Sequence, residues 1–428
     1  MPTPLNELTA SEIVVALNSG ATTCEAVLRA CLERIEEREP EVGAWQSLRA
    51  TAAIEEARAL DRNGRHGALL GVPFGVKDII DTCDTPSEYG SEIYVGHQPK
   101  ADAACVALTR KASGVLMGKT VTTEFANRHP GKTRNPLDLA RTPGGSSSGS
   151  AAAVADRMIP IAIGTQTTGS SIKPGSFCGI FAYKPTFGDL SCSGVKQSAG
   201  SLDTLGLFAR SIDDIALFRD ALLGIDPAPI TFNDESAPRI GLCRTPYWSE
   251  IEPSTQKLFE DAAGYLSQRG ARVSDVVLPK EFDQIRDVQK IISAFEFSQN
   301  YTWEIQHHWN AISSTLRNGR LKAGLACDFE HYSASRRVAE YCRRSLETIF
   351  AEFDLLFTPA TSGEAPRGLE ETGNSSLCGI WTTMHVPAVT IPVFRGPAGL
   401  PVGAQLIGAR DNDRNLLRFA KWIYRRMT

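Results

Sequence analysis

The sequence predicts an α/β protein whose helices layer around a sheet, and three observations carry that reading. From about residue 70, short apolar strands alternate with helical stretches. Two glycine- and serine-rich turns open further helices, the second directly after a strand. Three more strand-like runs close the chain, and they need the early sheet to cover their apolar faces.

The N-terminal part, residues 8–64, reads as helical. Apolar positions recur at three and four in EIVVALNSG and CEAVLRACLERIEER, with Gly20 and Gly64 as stops. Next come the strands FGVKDII, GVLMGKT and MIPIAIGT, interleaved with the helical runs AACVALTRKA, SAAAVADRM and SIDDIALFRDALL. Residues 225–238, rich in Pro, Asp and Ser, form the clearest loop, after which RIGLCR and ARVSDVVL flank another helix. Long helical segments near 283–315 and 331–352 follow. The chain closes on DLLFTP, AVTIPV and VGAQLIG and the helix NLLRFAKWIYRRM.

Bulk properties exclude several function classes. With 45 basic against 49 acidic residues in 428, the charges are balanced and scattered, so no basic stripe suits a nucleic acid or an anionic membrane. No run approaches the roughly 18 apolar residues of a membrane helix, and the N-terminus lacks a signal-peptide pattern, which reads as a cytoplasmic protein. Ten dispersed cysteines with no C-x-x-C pair read as free thiols of a reducing compartment. Seven histidines in no ligand spacing give no metal site. No cofactor is called for, and a small molecule is the expected partner.

Chemistry-bearing residues concentrate in three segments. TPGGSSSGSAAAVA, Thr142 to Ala155, fits a flexible linker by composition. It fits equally a turn that aims N–H groups and hydroxyls at a reacting group from a helix start. IGTQTTGSSIKP, Ile163 to Pro174, also follows a strand and opens a helix, so the two turns can bring Ser146 and Ser170 side by side at one sheet edge. Serine needs a base, and no histidine is near in sequence. A lysine made neutral by desolvation is the alternative. Lys77, inside the apolar strand of GVPFGVKDII, is the candidate, its rival reading being an edge-strand gatekeeper. Asp78 beside it points to the other face of a strand.

Other motifs fail. Ser170-Ser171-Ile172-Lys173 and Ser193-Gly194-Val195-Lys196 fit S-x-x-K, but S-D-N and K-T-G are missing. GVLMGKT is one residue short of a Walker A loop. The aromatic segment FEFSQNYTWEIQHHW, Phe295 to Trp309, reads as core rather than pocket wall.

Together the three segments resemble the amidase signature family. The counterparts of its motifs are GVPFGVKD (Gly71 to Asp78), PGGSSSGSAAAVA (Pro143 to Ala155), GTQTTGS (Gly164 to Ser170) and YKPT (Tyr183 to Thr186). EFA from Glu124, SLDTLG from Ser201, PAVTIP from Pro387 and PVGAQ from Pro401 echo it further. Within the family the nearest likeness is to malonamidase. The resemblance implies the amidase signature fold, a large mixed twisted central sheet covered by helices on both faces. It implies a single domain over 1–428, with a core at about 70–215 and 353–425 and a helical substrate-pocket region at 225–350.

The resemblance also implies roles. Ser170 aligns with the nucleophile of an acyl-enzyme mechanism, Ser146 with a bridging serine that follows a cis peptide, and Lys77 with the terminal base. Backbone N–H groups of Thr167, Thr168, Gly169 and Ser170 would hold the oxyanion. Lys173 stands where malonamidase-like sequences carry a carboxylate-binding arginine; it keeps the charge but loses the bidentate fork, and pairing with a nearby acid is the equal rival. The implied activity is hydrolysis of a small carboxylic acid amide, with room for a homodimer. The alternative is an amidotransferase subunit releasing ammonia for charged tRNA. Three positions depart from the pattern by replacing glycine: Thr168, expected to narrow the pocket or tilt a donor, Ser148, and His385.

Overall fold

The computed structural model describes residues 3–64, 66–231 and 237–428. Eleven strands form one sheet. In chain order they are β1 (Trp45–Leu48), β2 (Pro73–Lys77), β3 (Val115–Thr120), β4 (Ile161–Gln166), β5 (Phe181–Lys184), β6 (Thr204–Ala209), β7 (Arg239–Leu242), β8 (Arg272–Asp275), β9 (Leu355–Pro359), β10 (Ala388–Arg395) and β11 (Pro401–Ile407). Their spatial order is β1-β3-β2-β4-β6-β5-β10-β11-β9-β7-β8. The sheet is mixed: β2 runs parallel to β3 and β4, and β7 to β8 and β9, while the remaining pairs are antiparallel. The closing strands β9, β10 and β11 join the early ones through β5, as their uncovered apolar faces require.

Helices cover both faces, and strand alternation shows how. Leu355 and Phe357 enter one apolar core while Leu356, between them, enters the other. The first core is closed by α1 (Ala10–Asn18), α2 (Cys24–Val42), α3 (Ala50–Asn63) and α7 (Ile212–Leu223), among others. The N-cap Thr9 starts α1 with a capping box to Glu12, and Gly43 ends α2 in the left-handed conformation. Between α3 and α7 lie α4 (Ala104–Lys111), α5 (Ser148–Ala155) and α6 (Ile172–Cys178). The second core is closed by α9 (Ile285–Asn300), α10 (Phe329–Glu352) and α11 (Ser376–Thr383). Helices α8 (Pro253–Gln268) and α12 (Asp413–Met427) complete the set, with short turns between α9 and α10.

Several local expectations change. Residues 8–64 are not all helix: Trp45–Leu48 pairs antiparallel with β3 as an edge strand, too short for periodicity to reveal. The 283–315 segment is α9 followed by short turns, broken again at Arg317–Leu321, where Gly319 leaves helical geometry. Strand β2 lies between β3 and β4, so the gatekeeper reading of Lys77 falls. Residues 142–154 are buried, so the linker reading of the serine-rich segment falls too. Of the loop expected at 225–238, residues 232–236 lie outside the described residues.

Candidate active site

Parallel strands β2 and β4 end side by side, and the polar turns beyond their C-terminal ends build the site. Lys77 closes β2 and is fully buried. Its Nζ lies 2.7 Å from Ser146 Oγ and 2.7 Å from Thr165 Oγ1 on β4. Burial pushes the Lys77 amine down to about 7, with the Asp203 charge pulling the other way. Asp78 is not its counter-ion: on the opposite face it pairs with Lys119 at 3.1 Å.

The serine-rich turn distributes its hydroxyls. Ser147 Oγ donates to the Thr165 carbonyl, Ser148 Oγ to the Val121 carbonyl and Ser150 Oγ to the Ile163 carbonyl, pinning the start of α5 to the sheet. Ser146, after a cis Gly145–Ser146 peptide, turns instead to Lys77. Gly149 is a glycine because a Cβ there would stand 2.2 Å from the Ala44 carbonyl oxygen.

The second turn is held by Gln166. Its Oε1 accepts from the N–H groups of Ser171 and Ile172 at 2.9 and 3.0 Å, and its Nε2 donates to Thr382 Oγ1 at 2.9 Å. Thr382 Oγ1 in turn donates to the Thr168 carbonyl at 2.7 Å. The two turns meet where the Ser147 N–H donates to the Ser170 carbonyl at 3.2 Å.

Ser146 and Ser170 open on one cavity of about 390 Å³, which Thr168 and Lys173 also line. Among the expected residues, then, these four meet in the cavity, with Lys77 directly behind Ser146. Thr167 and Gly169 do not line it. The Thr167 hydroxyl turns away to Asp203, 2.5 Å distant, and Gly169 packs against Cys378. Lys173 Nζ donates to the Gly373 carbonyl at 2.8 Å and to Thr372 Oγ1 at 3.2 Å, and burial pushes it down to about 7. Among the described residues no carboxylate side chain lines the cavity, whereas Arg128, Lys173, Arg286, Lys290 and Arg320 do. Arg286 and Lys290 are neutralised by Glu250 and Asp287.

Residues 26–417 match the amidase family model. The chain belongs to the amidase signature family. This amidase is 34% identical over 478 residues to the A subunit of a glutamyl-tRNA(Gln) amidotransferase from Chloroflexus aggregans, with 100% of this chain and 97% of that protein aligned. Its fold matches a crystal structure of an amidase at a TM-score of 0.91 and 27% identity, covering 98% of this chain and 100% of the other. It also matches the native peptide amidase of Stenotrophomonas maltophilia at 0.85 and 27%, covering 100% and 98%. The protein is an amide C–N hydrolase.

The three departures now have physical reasons. Thr168 takes no positive φ, so its side chain brings no backbone strain. Its Oγ1 accepts from Gln289 Nε2 at 2.9 Å, and its methyl fills the space that a Cβ on Gly379 would need. Ser148 gains the Val121 carbonyl as partner. His385 sits at φ 62°, which explains the glycine usual there. It is held by stacking on Phe187 at 4.1 Å and by Nε2 beside the Ser201 carbonyl at 2.8 Å.

Sequence alone did not single out Thr165, Gln166 or Asp203, although all three lie inside the family's motifs. The resemblance placed the pocket within 225–350 but did not single out the wall formed by Arg286, Gln289, Lys290, Ser293 and Ala294 on one face of α9, nor Thr372, Asn374, Ser375 and Ser376 at the start of α11. A three-and-four spacing of small and polar residues on α9 was the available signal.

Proposed function

We propose that the protein hydrolyses a small carboxylic acid amide through an acyl-enzyme on Ser170, with Ser146 and Lys77 relaying the proton. The observation that carries this reading is the buried Lys77 amine, 2.7 Å from the Ser146 hydroxyl and pushed down to about 7. An ordinary lysine near 10.4 would be about 0.04% neutral at pH 7. In the forward step Ser170 Oγ bonds to the amide carbon while its proton passes to Ser146 Oγ, whose own proton passes to Lys77 Nζ. Collapse breaks the C–N bond as Ser146 returns a proton to the leaving nitrogen and takes one back from Lys77. Water then releases the acid by the same relay. Of the N–H groups expected to hold the oxyanion, those of Thr168 and Ser170, which line the cavity, are the proposed donors, each worth roughly 3–4 kcal/mol when well placed.

Lys173 gives the acyl side of the cavity its preference in this reading. A carboxylate-bearing acyl group would supply the anion that this buried amine lacks, in a cavity whose described lining holds no acidic side chain. The 34% identity to an amidotransferase component favours a second reading, ammonia release on behalf of a partner protein. The proposed location is the cytoplasm. Among the described residues no helix is long and apolar enough to cross a membrane.

A neutral fluorophosphonate tests the relay. Mass spectrometry is expected to place the adduct on Ser170, and Lys77→Met to abolish labelling while the protein stays folded. An adduct elsewhere, or undiminished labelling of Lys77→Met, refutes the relay. Ammonia release by the purified chain separates stand-alone hydrolysis from the partnered reading.

A further inference from the structure

Behind the relay lies a carboxylate that the mechanism above does not use. Asp203 stands one residue before β6, in the loop that faces the end of β4. Its Oδ1 accepts from Thr167 Oγ1 at 2.5 Å, and its Oδ2 from the N–H groups of Ser198 and Ala199 at 2.7 and 2.9 Å. Ser198 in turn takes Arg320 Nη1 on its Oγ at 3.0 Å, and Arg320 lines the cavity from the broken helix at Arg317–Leu321. Thr165 and Thr167 are two residues apart at the end of β4. The first reaches Lys77, the second reaches Asp203.

We infer that Asp203 is a positioning residue: it anchors Thr167, and so holds the turn that presents Thr168 and Ser170 to the cavity. The inference rests on the Ser170–Ser146–Lys77 reading. Three neutral donors converge on one carboxylate, which fixes the first residue of the oxyanion turn from outside the cavity. The turn is therefore held at both ends, by Asp203 at Thr167 and by Gln166 at Ser171 and Ile172.

The Asp203 charge also acts on Lys77, with a definite sign. The titratable groups facing Asp203 are Lys77, Arg320, Cys192 and Tyr301. Burial keeps the Cys192 thiol and the Tyr301 phenol protonated, the first up at about 12, so near neutral pH the charges in play are those of Asp203, Arg320 and Lys77. Burial raises Asp203 to about 6, against the pull of Thr167, the two N–H groups and Arg320, so above that pH it is an anion. An anion stabilises the protonated amine. Removing it lowers the proton affinity of Lys77 further, and the rise of activity with pH moves to lower pH.

The test follows the rate of labelling by a neutral fluorophosphonate between pH 5 and 9, which avoids any contribution of Lys173 to substrate binding. Asp203→Asn is expected to slow labelling on its plateau about tenfold and to move the acid limb, if at all, to lower pH. Thr167→Val is expected to slow labelling about tenfold, and Thr167→Ser to restore it. Full plateau speed in folded Asp203→Asn, or full speed in Thr167→Val, overturns the inference. Should Asp203→Asn not fold, the Thr167→Val and Thr167→Ser pair decides. The outcomes separate the two layers: labelling away from Ser170 in the unmodified protein sinks the relay itself, whereas labelling on Ser170 with unresponsive variants sinks only the role of Asp203.

Discussion

Thr165→Val removes one oxygen from the proposed relay and almost nothing else. The two side chains have nearly the same shape, and Thr165 lies buried with its Oγ1 2.7 Å from Lys77 Nζ. On the high-pH plateau the resting amine is largely neutral, and its bond to Thr165 is an ordinary one, worth about 0.5–1.5 kcal/mol. At the transition state the amine has gained a proton and the same bond is charge-assisted, worth about 1.5–3 kcal/mol. The difference, about 1–1.5 kcal/mol, is what the valine forfeits selectively. It corresponds to a fall in kcat of about 5- to 13-fold. Because it also separates the protonated from the neutral amine, it lowers the Lys77 proton affinity by about 0.7–1.1 pH units. In the unmodified enzyme kcat/KM should climb with pH through about 7, since only neutral Lys77 accepts a proton. The variant should climb earlier yet reach a lower plateau. Steady-state kinetics on an amide panel, with fluorophosphonate labelling as a binding-independent check, measures both. A plateau within twofold of the unmodified enzyme and an unmoved limb would refute a load-sharing role for Thr165. Thr165→Ser, which keeps the hydroxyl, should restore both.

Two further substitutions probe other parts of the molecule. Lys173→Ala should cut the preference for acidic over neutral amides by roughly 10- to 100-fold, the worth of one charged hydrogen bond; an unchanged preference in the panel removes the carboxylate proposal. Burial, with the cations Arg343, Lys184 and Arg410 nearby, pushes His385 down to about 3. Its pKa is lowered on folding, so the unfolded chain takes up the proton first and stability declines as pH falls below about 6.5. At pH 5 this one residue costs roughly 2 kcal/mol. His385→Asn, which tolerates the same positive φ, should flatten the fall of Tm between pH 7 and 5, and an equally steep fall in the variant counts against this account.

Much of the site was legible because its central groups sit in short contiguous runs. Lys77 stood out as a cation inside an apolar strand, a position that solvation energy makes costly unless the charge is absent. Ser146 and Ser170 stood out because two glycine- and hydroxyl-rich turns each opened a helix, the second directly after a strand. The ordered likeness of these segments to the amidase signature family then added the direction of the relay. The alternation of apolar strands and helical runs also predicted an α/β sheet, since each period reports the face that a local element must bury.

What sequence left open was decided by contacts between residues far apart in the chain. Which serine of the run from Ser146 to Ser150 faces the base depends on where β3 and β4 place the Val121, Ile163 and Thr165 carbonyls, which claim the other hydroxyls. The linker and gatekeeper alternatives fell only when the sheet order buried the turn and placed β2 between two neighbours. The cavity wall on α9, the turn before α11 and the Asp203 carboxylate are brought in by tertiary packing, which no local pattern encodes. The residues by themselves therefore determined the family and the groups proposed to carry its chemistry; the tertiary structure alone decided their surroundings, because desolvation and electrostatic fields depend on distance in space rather than along the chain.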